Sequence, residues 1–135
     1  MGYRSDVSAV FYAHKQDWPT LKLFFDENFP ESLANSVREF ETKNKRGYYF
    51  HEEDVKWYES YPEVIAFDAF VETLTKFMCD EASPMPWMYE FARIGENYED
   101  IEVVSDGEID WLLNVERRTV TSFEIKEPEN EDATT

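Results

Sequence analysis

The stretch PEVIAFDAFVETLTKFMCDEASP, residues 62–84, is the most regular part of the chain. Apolar side chains recur in it at spacings of three and four, at Val64, Phe67, Val71, Leu74 and Met78. This spacing puts them on one side of an α-helix that begins at Pro62 and ends before Ser83-Pro84. A helix with a wide apolar stripe must cover another element, so we expect a sheet or further helices beneath it.

Strand patterns surround this helix. Alternating runs rich in Val, Tyr, Phe and Thr predict strands over residues 3–12, from residue 48 to about 51, over 87–94 and over 119–125. Residues 99–115 predict a hairpin, because Asp106-Gly107 lies between two alternating runs and is a favoured two-residue turn.

Two shorter helices are predicted before residue 48. Asp17 precedes Trp18-Pro19 as a helix cap, and this helix should end near Pro30. A second short helix is predicted over residues 31–43, with Leu33, Val37 and Phe40 at helical spacing. Residues 43–47 are predicted to form a basic turn.

The order of these elements predicts one α+β domain over residues 1–126. It should contain an antiparallel-rich sheet with two or three helices packed on one face. Residues 127–135 lack large apolar side chains and predict a flexible acidic tail. The predicted core consists of Val7, Phe11, Leu21, Phe25, Val64, Phe67, Val71, Leu74, Phe91 and Trp111.

Charge is the unusual property of this 135-residue chain, which has 30 Asp+Glu against 13 Lys+Arg and a net charge of −17 at pH 7. A field of that sign repels phosphates, so we expect no direct binding to nucleic acid or to anionic membranes. The single cysteine, Cys79, excludes an intramolecular disulfide. We see no signal peptide and no long apolar run, and therefore expect a cytoplasmic protein.

The predicted hairpin combines acidic and apolar residues in alternation. Because successive strand residues point to opposite faces, one face should be acidic and the other apolar. The candidate partner-binding residues are the carboxylates in and beside the hairpin: Glu96, Glu99, Asp100, Glu102, Asp106, Glu108 and Asp110. Two interpretations remain open, a surface for a basic partner and a solvated face that only favours solubility.

No pattern in the chain indicates catalysis, a metal site or a cofactor. The run His51-Glu52-Glu53-Asp54 alternates between strand faces and cannot converge on one ion without a turn. His14, His51 and Cys79 stand in no spacing typical of a nucleophile or a ligand set. We therefore expect a protein that is not an enzyme, with no catalytic residue, no metal and no cofactor.

An aromatic cluster precedes the long helix, at Lys56-Trp57-Tyr58 and Tyr61. Aromatic side chains beside a cation can stack on nucleic-acid bases, and they can equally pack against a strand. Arg93 follows a strand pattern and lies among carboxylates, so we expect it to be a structural ion-pair partner.

Three segments carry a resemblance to known proteins: GYRSDV at residues 2–7, KWY at 56–58 and FARIGENYEDIE at 91–102. Together they resemble a family of small acidic proteins encoded by bacteriophages and mobile elements, most with no assigned function. The likeness covers residues 1–12 and 47–104 and carries over no catalytic residue. Small acidic phage proteins often disable host defences, some by imitating the charge of DNA.

The charge and the resemblance together predict a binding protein. We expect it to contact a basic surface of a host protein in the bacterial cytoplasm, as a DNA mimic that inhibits a nucleic-acid-binding defence complex of the CRISPR or restriction type. The alternatives are a phage accessory or structural protein that binds through an aromatic surface, and an enzyme with an unrecognised site. The sequence indicates no oligomeric state.

Overall fold

The computed structural model of the chain describes residues 2–115 and 119–123. Five strands form one antiparallel sheet in the order β2-β3-β1-β4-β5. They are β1 (Ser5–His14), β2 (Val37–Glu41), β3 (Lys45–Val55), β4 (Trp87–Gly95) and β5 (Ile101–Asp106). The helices are α1 (Trp18–Asn28) and α2 (Pro62–Met78), with 3₁₀ turns at Lys15–Asp17 and Glu31–Ser36. The predicted α+β class is confirmed.

The centre of the sheet is β1, where the residues from Val7 to Ala13 are fully buried. Successive residues of a strand point to opposite faces, so the burial of all of them means that other parts of the chain cover both faces of the sheet. The odd-numbered residues of β1 face α1 and α2, in a core that includes Phe11, Phe25, Phe67 and Leu74. Phe11 contacts Phe67, Phe70 and Tyr89 at ring-centroid distances of 6.1, 5.3 and 5.3 Å.

The opposite face of the sheet is covered by the end of the described chain. Leu112 and Leu113 pack there against Val10, Tyr12 and Ala92. A two-stranded ribbon, β6 (Leu113–Val115) with β7 (Thr119–Thr121), lies outside the main sheet. No helix among the described residues is long and apolar enough to cross a membrane.

The predicted second helix, residues 31–43, is wrong. Glu31–Ser36 is a 3₁₀ turn, and the chain then enters the sheet as β2. In β2, Val37 pairs with Phe50 and Phe40 with Gly47. Residues three apart along a strand point to opposite faces, so Val37 and Phe40 pack against the two different apolar clusters of the protein. The spacing that suggested a helix therefore belongs to a strand that is covered on both faces.

The basic turn predicted over residues 43–47 is also displaced. Lys45 and Arg46 already belong to β3, and the connection from β2 comprises residues 42–44. The last predicted strand, residues 119–125, is shorter in the structure, where β7 is Thr119–Thr121. Residues 124–125 and the predicted tail, 127–135, lie outside the described residues.

The hairpin predicted over residues 99–115 is wrong in its pairing. Strand β5 pairs with β4, from Ile101 opposite Ile94 to Asp106 opposite Tyr89. The turn of this hairpin is therefore the segment 96–100. At the predicted turn, Gly107 adopts a positive φ of 87° and the chain leaves the sheet. Residues 108–112 form no second arm in the structure.

One member of the predicted core lies on the surface. Trp111 is 64% exposed, because the irregular segment that carries it turns its neighbours Leu112 and Leu113 to the sheet instead. Val71 is only partly buried and packs at the edge of the core. The other predicted core residues are buried: Val7, Phe11, Leu21, Phe25, Val64, Phe67, Leu74 and Phe91.

Candidate acidic cleft

Pairing with β4 decides which way the carboxylates of β5 point. Residues directly opposite each other in an antiparallel pair share a face. Glu102 lies opposite Arg93, and Asp106 lies opposite Tyr89, so both carboxylates are on the helix face of the sheet. Ile101 and Val103 point to the other face and are 40% and 56% exposed. Glu102 thus lies on the opposite face from Ile101 and Val103, as the alternation predicted, but its face is the one that adjoins α2.

Arg93 is the centre of charge at this edge of the sheet. Its Nη2 and Nη1 donate to Asp100 Oδ1 and Oδ2 at 2.8 and 3.2 Å, and its Nε donates to Glu102 Oε1 at 3.0 Å. Hydrogen bonding by Asp100, followed by contributions from Glu102, raises the pKa of Arg93 despite partial burial. The ion-pair role expected for Arg93 is confirmed.

The N-terminal segment connects this ion pair to the loop before α2. The Tyr3 hydroxyl donates to Asp100 Oδ2 at 2.6 Å, and the Tyr3 amide donates to the Tyr58 hydroxyl at 2.6 Å. The Arg4 amide donates to Glu96 Oε2 at 2.8 Å. The three segments that carry the sequence resemblance therefore meet at one place in the fold.

A cleft of about 780 Å³ opens beside these contacts, between α2 and the strands β4 and β5. Its lining combines aromatic rings with charged groups, and includes Trp57, Phe67, Asp68, Tyr89, Phe91 and Glu102. Amphipathic α2 explains the mixture, since Phe67 is directed into the core while Asp68, the next residue, lies at the rim.

Carboxylates from three segments converge on the cleft. Glu59 comes from the loop before α2, Asp68 from α2 and Glu102 from β5. Partial burial, followed by the negative charges of Glu102 and Glu59, raises the pKa of Asp68. The described residues provide no ion-pair partner for Asp68, whereas Asp100 and Glu102 share Arg93.

Tyr89 lies at the floor of the cleft and is 4% exposed. Burial, followed by the charges of Asp68 and Glu102, raises the pKa of its hydroxyl, so the phenol stays protonated. Tyr89 belongs to the cleft lining, and its hydroxyl is not among the buried polar atoms without a partner in the described residues, so solvent can reach it. It makes no hydrogen bond within the described parts of the chain.

The remaining candidate carboxylates lie elsewhere or have structural roles. Asp110 Oδ2 accepts from Lys45 Nζ at 2.7 Å, and Asp106 Oδ1 accepts from the Gly107 amide at 2.9 Å. Glu99 is exposed in the turn before β5, and Glu108 is exposed beyond Gly107. Of the seven predicted residues, Asp100 and Glu102 line the cleft.

Sequence reasoning missed Glu90, the buried carboxyl group of β4. It is 4% exposed and accepts hydrogen bonds from the Tyr12 hydroxyl at 2.5 Å and from the Leu112 and Leu113 amides, both at 3.0 Å. These bonds attach the irregular segment after Gly107 to the sheet. The available signal was a single acid inside an otherwise apolar strand pattern.

Trp57, in the aromatic cluster before α2, packs against the core. The Trp57 ring lies 6.1 Å from that of Phe50 and 5.4 Å from that of Phe67, and Tyr58 contacts Tyr61 at 5.0 Å. His51 Nδ1 lies 2.8 Å from Ser8 Oγ. Within residues 2–115 and 119–123, no cluster of His, Cys, Asp or Glu is arranged to hold a metal ion.

Comparison with known proteins found no match to a family model, to a curated protein or to a solved structure.

Proposed function

We propose that the protein is not an enzyme and that it binds a basic surface of a host protein through the acidic cleft between α2 and the strands β4 and β5. The observation that carries this proposal is the convergence of Glu59, Asp68 and Glu102 on one open cleft, where Asp68 has no ion-pair partner in the described structure. Like charges in such proximity cost folding energy, and a partner's cations relieve that cost.

In its most specific form, the proposal is a DNA mimic that acts in the bacterial cytoplasm. A protein that binds nucleic acid presents a basic surface to phosphates. A net charge of −17 attracts such a surface over a long range and repels nucleic acid itself. Together with the resemblance to small acidic phage proteins, this favours a CRISPR or restriction complex as the target.

The structure changes which residues should be altered in a test. Glu102 binds Arg93 and Asp110 binds Lys45, so charge reversal there also breaks ion pairs of the fold. Glu59 and Asp68 line the cleft without an ion pair to any described residue. Glu27 and Glu31, exposed at the end of α1 and after it, provide a control with the same change in total charge.

The experiment is capture from a bacterial host lysate on the immobilised full chain. We expect a nucleic-acid-binding protein to be retained by the wild type and by Glu27→Lys/Glu31→Lys, and to be lost with Glu59→Lys/Asp68→Lys. Double-stranded DNA in the buffer should displace it.

Two results would contradict the proposal. One is equal capture by both double variants, which would place the contact away from the cleft. The other is a partner that neither salt nor DNA displaces, which would favour the alternative of an apolar contact, with Trp111 as the exposed aromatic residue to test next.

A further inference from the structure

The cleft has a composition that selects among positively charged ligands. Its described lining includes four carboxylates, from Glu59, Asp68, Asp100 and Glu102, and one guanidinium group, from Arg93. Because Asp100 and Glu102 both bind that guanidinium, Asp68 and Glu59 are the groups left to attract a cation. The site therefore has an excess of negative charge beside aromatic rings.

Tyr89 gives a second and independent indication of a ligand. Its side chain is almost completely buried and lines the cleft, and its hydroxyl, which solvent can reach, has no hydrogen-bond partner among the described residues. A ligand that donates a hydrogen bond to the phenol oxygen would replace solvent there and add a directed contact at the floor of the cleft.

The aromatic walls distinguish between types of cation. Trp57 and Tyr58 are half-buried and line the open part of the cleft, with Phe67 and Phe91 deeper. A planar guanidinium stacks on aromatic faces while donating several hydrogen bonds in its plane, which a compact ammonium group cannot do. Carboxylates accept such bonds in pairs.

From these features we infer that the cleft receives an arginine side chain of the partner protein, with its guanidinium between the aromatic wall and Asp68 and within hydrogen-bond reach of the Tyr89 hydroxyl. A second copy of this chain is disfavoured as the occupant, since two chains of net charge −17 repel each other. The cleft volume of about 780 Å³ also has room for backbone on either side of the arginine. This inference rests on the proposed function and specifies its contact.

The test is an NMR titration of the full chain with the blocked tripeptide acetyl-Gly-Arg-Gly-amide. We expect amide shifts centred on Trp57, Asp68 and Tyr89. Asp68→Asn should weaken binding about tenfold or more, because a charge-assisted hydrogen bond is lost. Tyr89→Phe should weaken it about threefold, as for a neutral hydrogen bond, without changing any charge. Glu72→Gln on α2 and Tyr98→Phe, both outside the lining, are the matched controls and should leave binding unchanged.

Two further probes test the chemistry. The same peptide with citrulline, which is neutral and nearly isosteric with arginine, should bind at least about tenfold more weakly. The same peptide with lysine in place of arginine has the same charge and should bind more weakly, because a compact ammonium group cannot stack as a plane. Equal binding of either probe, shifts centred elsewhere, or an unaltered affinity in Tyr89→Phe would overturn the inference.

Failure here and failure of the proposed function are distinguishable. If Tyr89→Phe has no effect on the tripeptide while Glu59→Lys/Asp68→Lys still abolishes partner capture, the acidic cleft binds its partner without receiving an arginine. If neither variant affects its ligand, both statements fall.

Discussion

The two faces of the sheet are closed in different ways. On one face, α2 lays Phe67, Phe70 and Leu74 on a continuous layer of rings and aliphatic side chains. On the other face, an irregular segment is fixed by the carboxyl group of Glu90, which accepts three hydrogen bonds, and by a smaller apolar cluster that includes Leu112.

This difference shows where apolar burial is sufficient and where polar groups must define the structure. A helix satisfies its own backbone, so it needs only an apolar stripe to dock. A segment without regular structure brings unpaired amides to the sheet, and Glu90 accepts two of them, from Leu112 and Leu113. The helix face should therefore be sensitive to loss of volume, and the opposite face to loss of a single acceptor.

The largest effect should come from the helix face. Phe67 is 1% exposed and contacts the rings of Phe11, Phe50 and Phe91. Phe67→Ala removes buried area and leaves a cavity, so we expect the free energy of unfolding to fall by about 3–5 kcal/mol in urea denaturation. Ile65→Ala, on the exposed side of the same helix, should change it by less than about 1 kcal/mol. Similar losses in both variants would show that α2 is rotated.

The next effect concerns the opposite face. Glu90→Gln keeps the size of the side chain but replaces one of the two carboxylate oxygens with an amide donor, which then faces the amide of either Leu112 or Leu113. We expect a loss of about 1–3 kcal/mol, the usual cost of a buried group without a partner. Hydrogen exchange should accelerate at Leu112 and Leu113 more than at Phe11.

A matched control for this variant is Glu108→Gln, an exposed carboxyl group in the same irregular segment. Its unfolding free energy should stay within about 0.5 kcal/mol of the wild type. Uniformly faster exchange across β1 in Glu90→Gln would contradict the distinction between the two faces, since it would make Glu90 a determinant of the whole core.

The smallest effect lies where the helix face opens into the cleft. Because burial, Glu102 and Glu59 raise the pKa of Asp68, the folded chain holds this proton to a higher pH than the unfolded chain, where the ordinary value is 3.8. The wild type should therefore lose stability as pH rises from 3.8 through the folded pKa, and the penalty should be complete above it.

Removing this carboxyl group makes the effect measurable. Between pH 3.8 and the raised pKa of Asp68 in the folded chain, the unfolding free energy of Asp68→Asn should rise relative to that of the wild type. Above that pKa, the difference between the two proteins should stay constant. Glu102→Gln should lower the pKa of Asp68 in an NMR titration, because the nearby negative charge is gone. An Asp68 pKa insensitive to Glu102→Gln would mean that the carboxylates of the cleft do not converge.

Local patterns in the sequence predicted much of the sheet and both α-helices. Alternation located β1 and β4, and the three-four spacing located α2 to its first residue, because each signal depends on a face that the element itself presents. The helix predicted from Val37 and Phe40 was wrong because their spacing fits both a helix and a strand that is buried on both faces. Only the pairing of this segment with β3 distinguishes the two structures.

The candidate site was predicted in composition more than in geometry. The sequence indicated that residues 96–110 are rich in carboxylates and that Arg93 is an ion-pair partner. It could not show that β5 pairs with β4 through the turn at 96–100, because Asp106-Gly107 is also a favoured hairpin turn by its local residues. Asp68 and Tyr89 were missed because their importance arises from distant neighbours.

The most direct test of the acidic cleft as a binding surface is the salt dependence of the dissociation constant for the captured partner. Raising the salt concentration from 0.1 to 1 M shortens the Debye length from about 10 Å to about 3 Å. We expect the wild type to bind progressively more weakly over this range and Glu59→Lys/Asp68→Lys to bind weakly throughout. A dissociation constant that is the same at both salt concentrations, and the same in the double variant, would contradict an electrostatic contact at the cleft.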